Sequence, residues 1–326
     1  MTSAIHVQEW LKVIKSEYLD GFVRDGGSSI KFLVPVKEAL GPLVKSRLQD
    51  IGSGLDYLVV HVDSGDTRVH MPQEIFFRIA QQVDWRLLAR RVILRLCEEL
   101  PYQTKAIDPI ADTPILGAIS AANDVEESQV ALDLRRRMPG AVTQNRGMSR
   151  DFRLAMTHLC LAEMDGGAQS RQGEELIEWL TGSNRRVSSV RRYSIYNSIV
   201  RTNARHFLES LFNWVKYVGY AGTLVLLDNC RVTLRRNPRD GLFFYSRPAT
   251  MDHYELMREL IDSTDRLEGV LMVVLADEDF LDPELRGKGF FIYQALYARI
   301  SDEVQDRNQG NPFAALVRLA DTTVQE

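Results

Sequence analysis

Cysteine is scarce in this chain: three among 326 residues, Cys97, Cys160 and Cys230, odd in number and far apart. That excludes a disulfide framework, and no cysteine or histidine has zinc-ligand spacing. Long apolar runs are missing as well, none approaching the roughly 20 residues that span a bilayer. The amino-terminal MTSAIHVQEWLKVIKSEYL carries Glu9 and Glu17, so it lacks the uninterrupted apolar centre of a signal peptide. Nor is there an internal repeat, a low-complexity block or an excess of one charge: 40 Lys and Arg stand against 44 Asp and Glu, a net charge of -4. Contact with a polyanion would therefore need a local basic patch. Together these absences point to a cytoplasmic protein with buried free thiols, no metal site and no membrane partner.

What is present is an ordinary globular composition, 45% hydrophobic and 26% charged, enough for one large core or two modest ones. Trp10, Leu11, Ile14, Leu19 and Phe22 share one face of an expected first helix, Val7–Phe22. Short runs of Val, Ile and Leu at Ile30–Val34, Tyr57–Val62, Thr223–Leu227, Val270–Leu275 and Ala315–Leu319 read as buried strands,. Helical patterns separate them, at Glu38–Gln49, Met71–Leu100 (with Asp84 as a second start), Ser149–Met164, Glu174–Leu180, Tyr193–Val218, Asp252–Leu267 and Phe290–Val304. Buried strands alternating with helices predict an α/β fold with a mostly parallel sheet covered on both faces. From Pro101 to Gly147 the pattern weakens among prolines, which reads as an inserted or mobile region. The expected organisation is residues 1–100 and 193–326 as two parts of one domain, with a mostly helical insertion at 101–192.

Ligands of such sheets sit at the carboxyl ends of the strands, where Asp63, Asp228 and Asp277 fall. Two segments bear on a phosphate site. In GFVRDGGSSIKFLVPV, Gly26, Gly27, Ser28, Ser29 and Lys31 have the residue types of a phosphate loop. With Lys31 in the lysine slot of G-x-x-x-x-G-K-[ST], however, Asp25, Ile30 and Phe32 occupy the glycine, glycine and hydroxyl slots. By pattern alone a Gly-Gly-Ser turn between helix and strand fits better. The second segment, TLVLLDN, has the form of a Walker B strand ending in Asp228, with Asn229 where a glutamate usually polarises the attacking water. An amide has no basic form near neutral pH and cannot take that proton.

In order and spacing these pieces resemble a known family. FVRDGGSSIKFLV is similar, without gaps, to the F-[IV]-R-x-x-x-G-x-G-K-[ST] segment of the ATP-binding P-loop proteins of BREX-type phage-defence systems. TNARHFLESLFNWVKYVGYAGTLVLLDN resembles their helix and Walker B strand. MRELIDSTDRLEGVLMVVLADEDFLDPELRGKGFFIYQALYARI resembles their R-x-L-I-D-x-x-D-x-L-x-G segment with the strand after it, and NPFAALVRLA their closing strand. The resemblance implies an AAA-like P-loop NTPase domain that binds ATP. The family's loop glycines fall on Ser28 and Ile30, its hydroxyl on Phe32 and its glutamate on Asn229. Lys31 and Asp228 carry over, and Asp277 stands in the sensor region in place of a neutral polar residue. These departures put hydrolysis, ATP binding and especially Mg2+ in question.

Outside these segments, Arg185, Arg186, Arg191, Arg192, Arg201 and Arg205 occur with no acidic residue between Glu178 and Glu209. Arg191, Arg192, Arg201 and Arg205 are candidates for nucleic-acid phosphates, against the alternative of a solvated face. Arg299 is a candidate phosphate sensor. Three functions stay open: a degenerate P-loop protein that regulates or scaffolds a defence complex with other system proteins, an atypical ATPase completed by a partner subunit, and a nucleic-acid-binding module. Oligomer formation is open with them.

Overall fold

The computed structural model describes residues 4–166, 170–283, 288–301 and 310–321. It contains two compact units, one built from the chain up to Ile79 and from Tyr220 onward, the other from Ala80 to Gly219.

The first unit holds β1 (Ile5–His6), α1 (Val7–Val13), β2 (Ser28–Pro35), α2 (Leu40–Gly54), β3 (Tyr57–Asp63) and α3 (Pro72–Ala80). After the second unit it resumes with β4 (Gly222–Asp228), α10 (Arg247–Asp262), β5 (Val270–Leu275), α11 (Gln294–Ile300) and β6 (Leu316–Ala320). The six strands form one sheet in the order β1-β6-β2-β5-β4-β3, every pair parallel. Five of the strands coincide with the apolar runs read from the sequence. The helix expected at Phe290–Val304 is a short turn at Phe290–Ile292 followed by α11, and Val304 lies outside the described residues.

Side chains alternate across a strand, and the register decides which face each joins. Leu224 opposite Leu271, Leu226 opposite Val273 and Leu33 opposite Leu275 share one face. There they pack with Trp10, Leu11, Ile14 and Leu19 and with Val44 and Leu48 of α2. Phe32 points the other way and stacks on Phe280 at 5.8 Å, which stacks on Phe290 at 4.8 Å and meets Tyr254 of α10 edge-on. Both faces are thus covered, which is why these strands read as continuous apolar runs.

Phe22, expected on the buried face of the first helix, is 51% exposed. Beyond α1 the chain winds more widely, as a π-helix over Ile14–Phe22, and the extra residue per turn rotates Phe22 off the face. Its ring instead covers Gly27, where a Cβ would lie 2.5 Å from it. Gly222 is held more tightly still. A Cβ there would stand 2.4 Å from the Gly269 carbonyl oxygen and 2.8 Å from the Tyr57 ring. Gly222→Ala is therefore expected to cost about 1–3 kcal/mol through overpacking, read as a lower urea midpoint; an unchanged midpoint would remove this contact from the account.

The second unit comprises α4 (Trp85–Glu98), α5 (Ile115–Asn123), α6 (Glu127–Met138), α7 (Arg150–Asp165), α8 (Arg171–Thr181) and α9 (Ala204–Tyr217). It is wider than the span 101–192 read from the sequence. Asp84 does cap α4, its carboxylate accepting the Leu87 N–H at 2.9 Å. The Pro-punctuated stretch contains two helices rather than an irregular segment. Its sparse apolar residues suffice because Ile115, Leu116 and Ile119, then Val130, Leu134 and Met138, all face inward. The helix expected from Tyr193 begins only at Ala204. Upstream, Ser194 has a positive φ of 62°, and Asn203 binds the backbone of Val200 and Ser198, an alternative to helical bonding,.

Candidate functional site

β2 feeds a connection that runs to β3 at one edge of the sheet. Its neighbour β5 feeds one that runs the other way, past β2, to β6. Adjacent strands whose connections diverge open a crevice at their carboxyl ends, the ligand position of open parallel sheets. Asp63 and Asp228 end paired strands there, in register, and Asp277 follows β5.

The sequence-derived phosphate loop is not at this edge. Gly26 and Gly27 precede β2, and Ser28, Ser29 and Lys31 lie within it. Ser28 ties β2 to β5, its hydroxyl donating to Leu267 O at 2.8 Å and accepting from Val270 N at 3.0 Å. Lys31 is 3% exposed, and its ammonium donates to the Phe313 and Ala314 carbonyls at 2.6 and 3.2 Å, just ahead of β6. It also sits 4.5 Å over the Tyr18 ring. Burial lowers its pKa to about 8. The five residues thus gather at the amino ends of the strands. The reason is positional: a phosphate loop follows a strand and enters a helix, whereas this glycine turn leads into a strand.

The segment that does connect a strand to a helix at the carboxyl edge is Val36–Leu43, between β2 and the first turn of α2. Set on G-x-x-x-x-G-K-[ST], VKEALGPL retains Gly41 and places Val36, Pro42 and Leu43 in the other slots,. Phosphate binding at such a turn uses free backbone N–H groups. Here Leu40 N donates to Lys37 O at 3.0 Å, Gly41 N to Glu38 O at 3.1 Å and Val36 N to Leu319 O at 2.8 Å. Pro42 has no N–H to offer.

One turn further along α2, Lys45 reaches across the sheet edge and forms an ion pair with Asp228. Burial alone would push the Asp228 carboxyl up, but the Lys45 ammonium and the Cys230 N–H outweigh it and hold it below the usual range. The same burial, with Asp228 alongside, pushes the Cys230 thiol up. Asn229 is fully buried, and neither its Oδ1 nor its Nδ2 has a hydrogen-bond partner among the described residues. Asp277 accepts the Thr233 hydroxyl at 2.9 and 3.0 Å and caps the turn Glu278–Leu281 through Phe280 N at 3.2 Å. Burial nevertheless raises its pKa. Magnesium takes oxygen ligands, normally a hydroxyl at the loop and water held by the Walker B carboxylate. Leu43 stands at the first position and Asp228 already carries a cation, so these side chains do not fit the ion.

Lys45 was invisible to the sequence reading because its partner lies 183 residues away. Its signal was the strand-then-helix order at Ile30–Gln49.

The remaining candidates fall elsewhere. Arg299 is bound by Asp262, with Nε–Oδ1 at 2.6 Å and Nη2–Oδ2 at 3.0 Å. Asp262 ends α10, which runs back toward the amino ends of the strands, so Arg299 is not at the crevice. In the helical unit, Arg192 pairs with Glu175 and lies over the Tyr193 ring, and Arg205 meets Glu209 at 3.7 Å. Arg191 is exposed in a short turn. Arg201 precedes α9, so it does not share a helix face with Arg205. That unit also holds a polar cleft of about 450 Å³ at the start of α7. Its carboxylates are engaged, Asp151 by Asn197 at 2.8 Å and Glu209 by His206 at 3.2 Å.

An all-parallel sheet with helices on both faces and acidic strand ends at its crevice defines an α/β domain of the P-loop NTPase type. Within that class, the family model for BREX system ATP-binding protein BrxC/D matches residues 103–326, and the chain belongs to this family. Membership implies a role in a phage-defence system, with other components of that system as partners. The match takes in β4, β5, β6, Asp228, Asn229 and Asp277, and leaves out β2, the segment after it and Lys45. No curated protein and no solved structure matches the chain. No helix among the described residues is long and apolar enough to cross a membrane, and they contain no group of three or more potential metal ligands.

Proposed function

We propose that this chain is a degenerate P-loop NTPase-fold component of a BREX defence complex, acting as a regulator or scaffold with little or no ATP hydrolysis. The observation that carries the reading is the Lys45–Asp228 ion pair. A protein cation neutralises the carboxylate that would otherwise face a metal-bound triphosphate. The loss of three of four motif positions in Val36–Leu43, the engaged N–H groups of Val36, Leu40 and Gly41 and Asn229 in the glutamate position support the same reading.

The test is phosphate release by the purified chain with ATP and magnesium, alongside calorimetric ATP binding with and without the metal. Wild type is expected to match Asp228→Ala in turnover, and magnesium to leave any ATP affinity unchanged. Magnesium-dependent turnover that disappears in Asp228→Ala would overturn the proposal. A second reading, an atypical ATPase completed by a partner subunit, draws on the family's ATP binding and on the Asn229 side-chain amide, which has no partner among the described residues. It requires turnover to appear when the other system components are added and to vanish with Asp228→Ala.

A further inference from the structure

The connection from β4 to α10, Asn229–Ser246, is long and carries four arginines against one acid: NCRVTLRRNPRDGLFFYS. Its base is fixed. Val232 and Tyr245 are buried, and the Tyr245 hydroxyl lies 2.8 and 2.6 Å from the Ser64 and Thr67 carbonyl oxygens while accepting the Val69 N–H at 3.2 Å. Arg231 closes the neck. Its Nη atoms donate to both oxygens of Asp240 at 2.7 and 2.9 Å, and its Nε to Phe243 O at 3.0 Å. The only acid of the loop is thereby neutralised from within.

What the tip then presents is positive. Arg235 is held by Asp282 at 2.7 Å, but the exposed Arg236 and Arg239 form no side-chain hydrogen bond or ion pair among the described residues. Arg239 stands at the bend itself, with a φ of 59° and its N–H on the Asn237 side chain. The same loop carries Leu242 and Phe244, 48% and 37% exposed, and Phe243, over whose ring the exposed Arg68 sits at 5.0 Å. In a chain of net charge -4, a pinned loop that shields its one acid and carries both exposed arginines and phenylalanines is a local exception.

We propose that this loop, with Arg68, is a contact surface for single-stranded nucleic acid. Arg236, Arg239 and Arg68 meet backbone phosphates; Lys288 covers one face of Phe244 at 4.1 Å and Arg68 one face of Phe243 at 5.0 Å, so the opposite faces are the ones offered to unpaired bases. Guanidiniums on phosphates supply affinity that falls with salt, and aromatic stacking supplies a sequence-tolerant hold on single strands. The loop presents neither a helix nor a β-ribbon, the elements that enter a duplex groove, so the single strand is the form it suits. This contact is independent of whether ATP is turned over.

The experiment is fluorescence anisotropy of a labelled oligothymidylate of roughly 20 nucleotides, longer than the site of about 4–16 of a typical single-strand-binding domain. It is run between about 50 and about 200 mM salt, the range over which phosphate contacts lose most affinity. Arg236→Glu/Arg239→Glu is expected to weaken binding at least tenfold and to flatten the log–log salt slope by about 1.4, two contacts at about 0.7 each. Phe244→Ala is expected to weaken binding about fivefold or more with the slope unchanged, as lost stacking predicts. Arg191→Glu/Arg192→Glu should leave binding as it is. All these side chains are surface-exposed, and thermal melts confirm that the variants fold. The proposal is overturned by absence of binding at low salt, by loss confined to the Arg191/Arg192 variant, or by a duplex of equal length binding as tightly with Phe244→Ala silent.

Discussion

Glu163→Leu is expected to destabilise the helical unit by about 3–5 kcal/mol, the usual result of removing one partner from a buried ion pair. Arg90 of α4 and Glu163 of α7 are 8% and 6% exposed. Arg90 Nη1 donates to Glu163 Oε1 at 2.9 Å and Nη2 to the Thr113 carbonyl at 3.0 Å. The half-exposed Arg86 adds a weaker contact to the same carboxylate at 3.4 Å. Leucine fills the volume but leaves a guanidinium desolvated, with a carbonyl as its remaining partner, and the cost is that of the stranded charge rather than of the lost pair. The double variant Arg90→Met/Glu163→Leu removes both charges and is expected to recover to within about 1 kcal/mol of wild type. Urea unfolding followed by circular dichroism reads both. Equal costs in the single and double variants would mean that packing, not charge, sets the stability here.

The same contrast between local and long-range information explains what the sequence disclosed. Strands β2 to β6 were legible because a sheet covered on both faces demands unbroken apolar runs, and VLMVVL or TLVLLD admit few other readings. β1 was not, since a two-residue strand paired only with β6 leaves no period to detect. Asp228 and Asp277 were legible as acids at the carboxyl ends of strands, and both stand there. The phosphate loop was misplaced because residue types outweighed order: Gly26, Gly27 and Lys31 resemble a motif, but they introduce β2 instead of following it. The segment after β2 has almost none of the motif's residues, and Lys45 acquires meaning only through a contact 183 residues away. The arginine-rich loop escaped notice for a related reason. Its composition is modest until the Arg231–Asp240 pairing cancels its acid.

Acidification is expected to weaken the sheet unit through His253, by about 3 kcal/mol between pH 6.5 and 4, since each unit of pKa displacement is worth about 1.4 kcal/mol. His253, on α10, is fully buried, and its Nδ1 lies 3.0 Å from the Val69 carbonyl oxygen, to which it donates as the neutral tautomer. Desolvation drives its pKa down to about 4, opposed by the Val69 hydrogen bond and reinforced by the neighbouring His70. The sign follows from proton uptake. Below the unfolded value of 6.5 the unfolded chain binds a proton that the folded chain refuses until about pH 4, so stability is complete above pH 6.5 and declines as the pH falls. Carboxylates contribute to any acid transition, so the comparison that isolates the imidazole is His253→Asn, whose amide can still donate to Val69. That variant starts less stable, because it leaves a cavity, but its urea midpoint should fall less steeply over this window. Parallel pH dependences for the two proteins would show that the imidazole is protonated in place. The location gives the effect a consequence beyond stability. Val69 N also donates to Tyr245, so His253 and Tyr245 grip the same short segment after β3. Protonation leaves the Nδ1–H bond to Val69 in place but strands a charge against the segment on which the arginine-bearing loop stands, and protection of the Val69 amide from hydrogen exchange should fall over the same pH range in wild type and not in His253→Asn,.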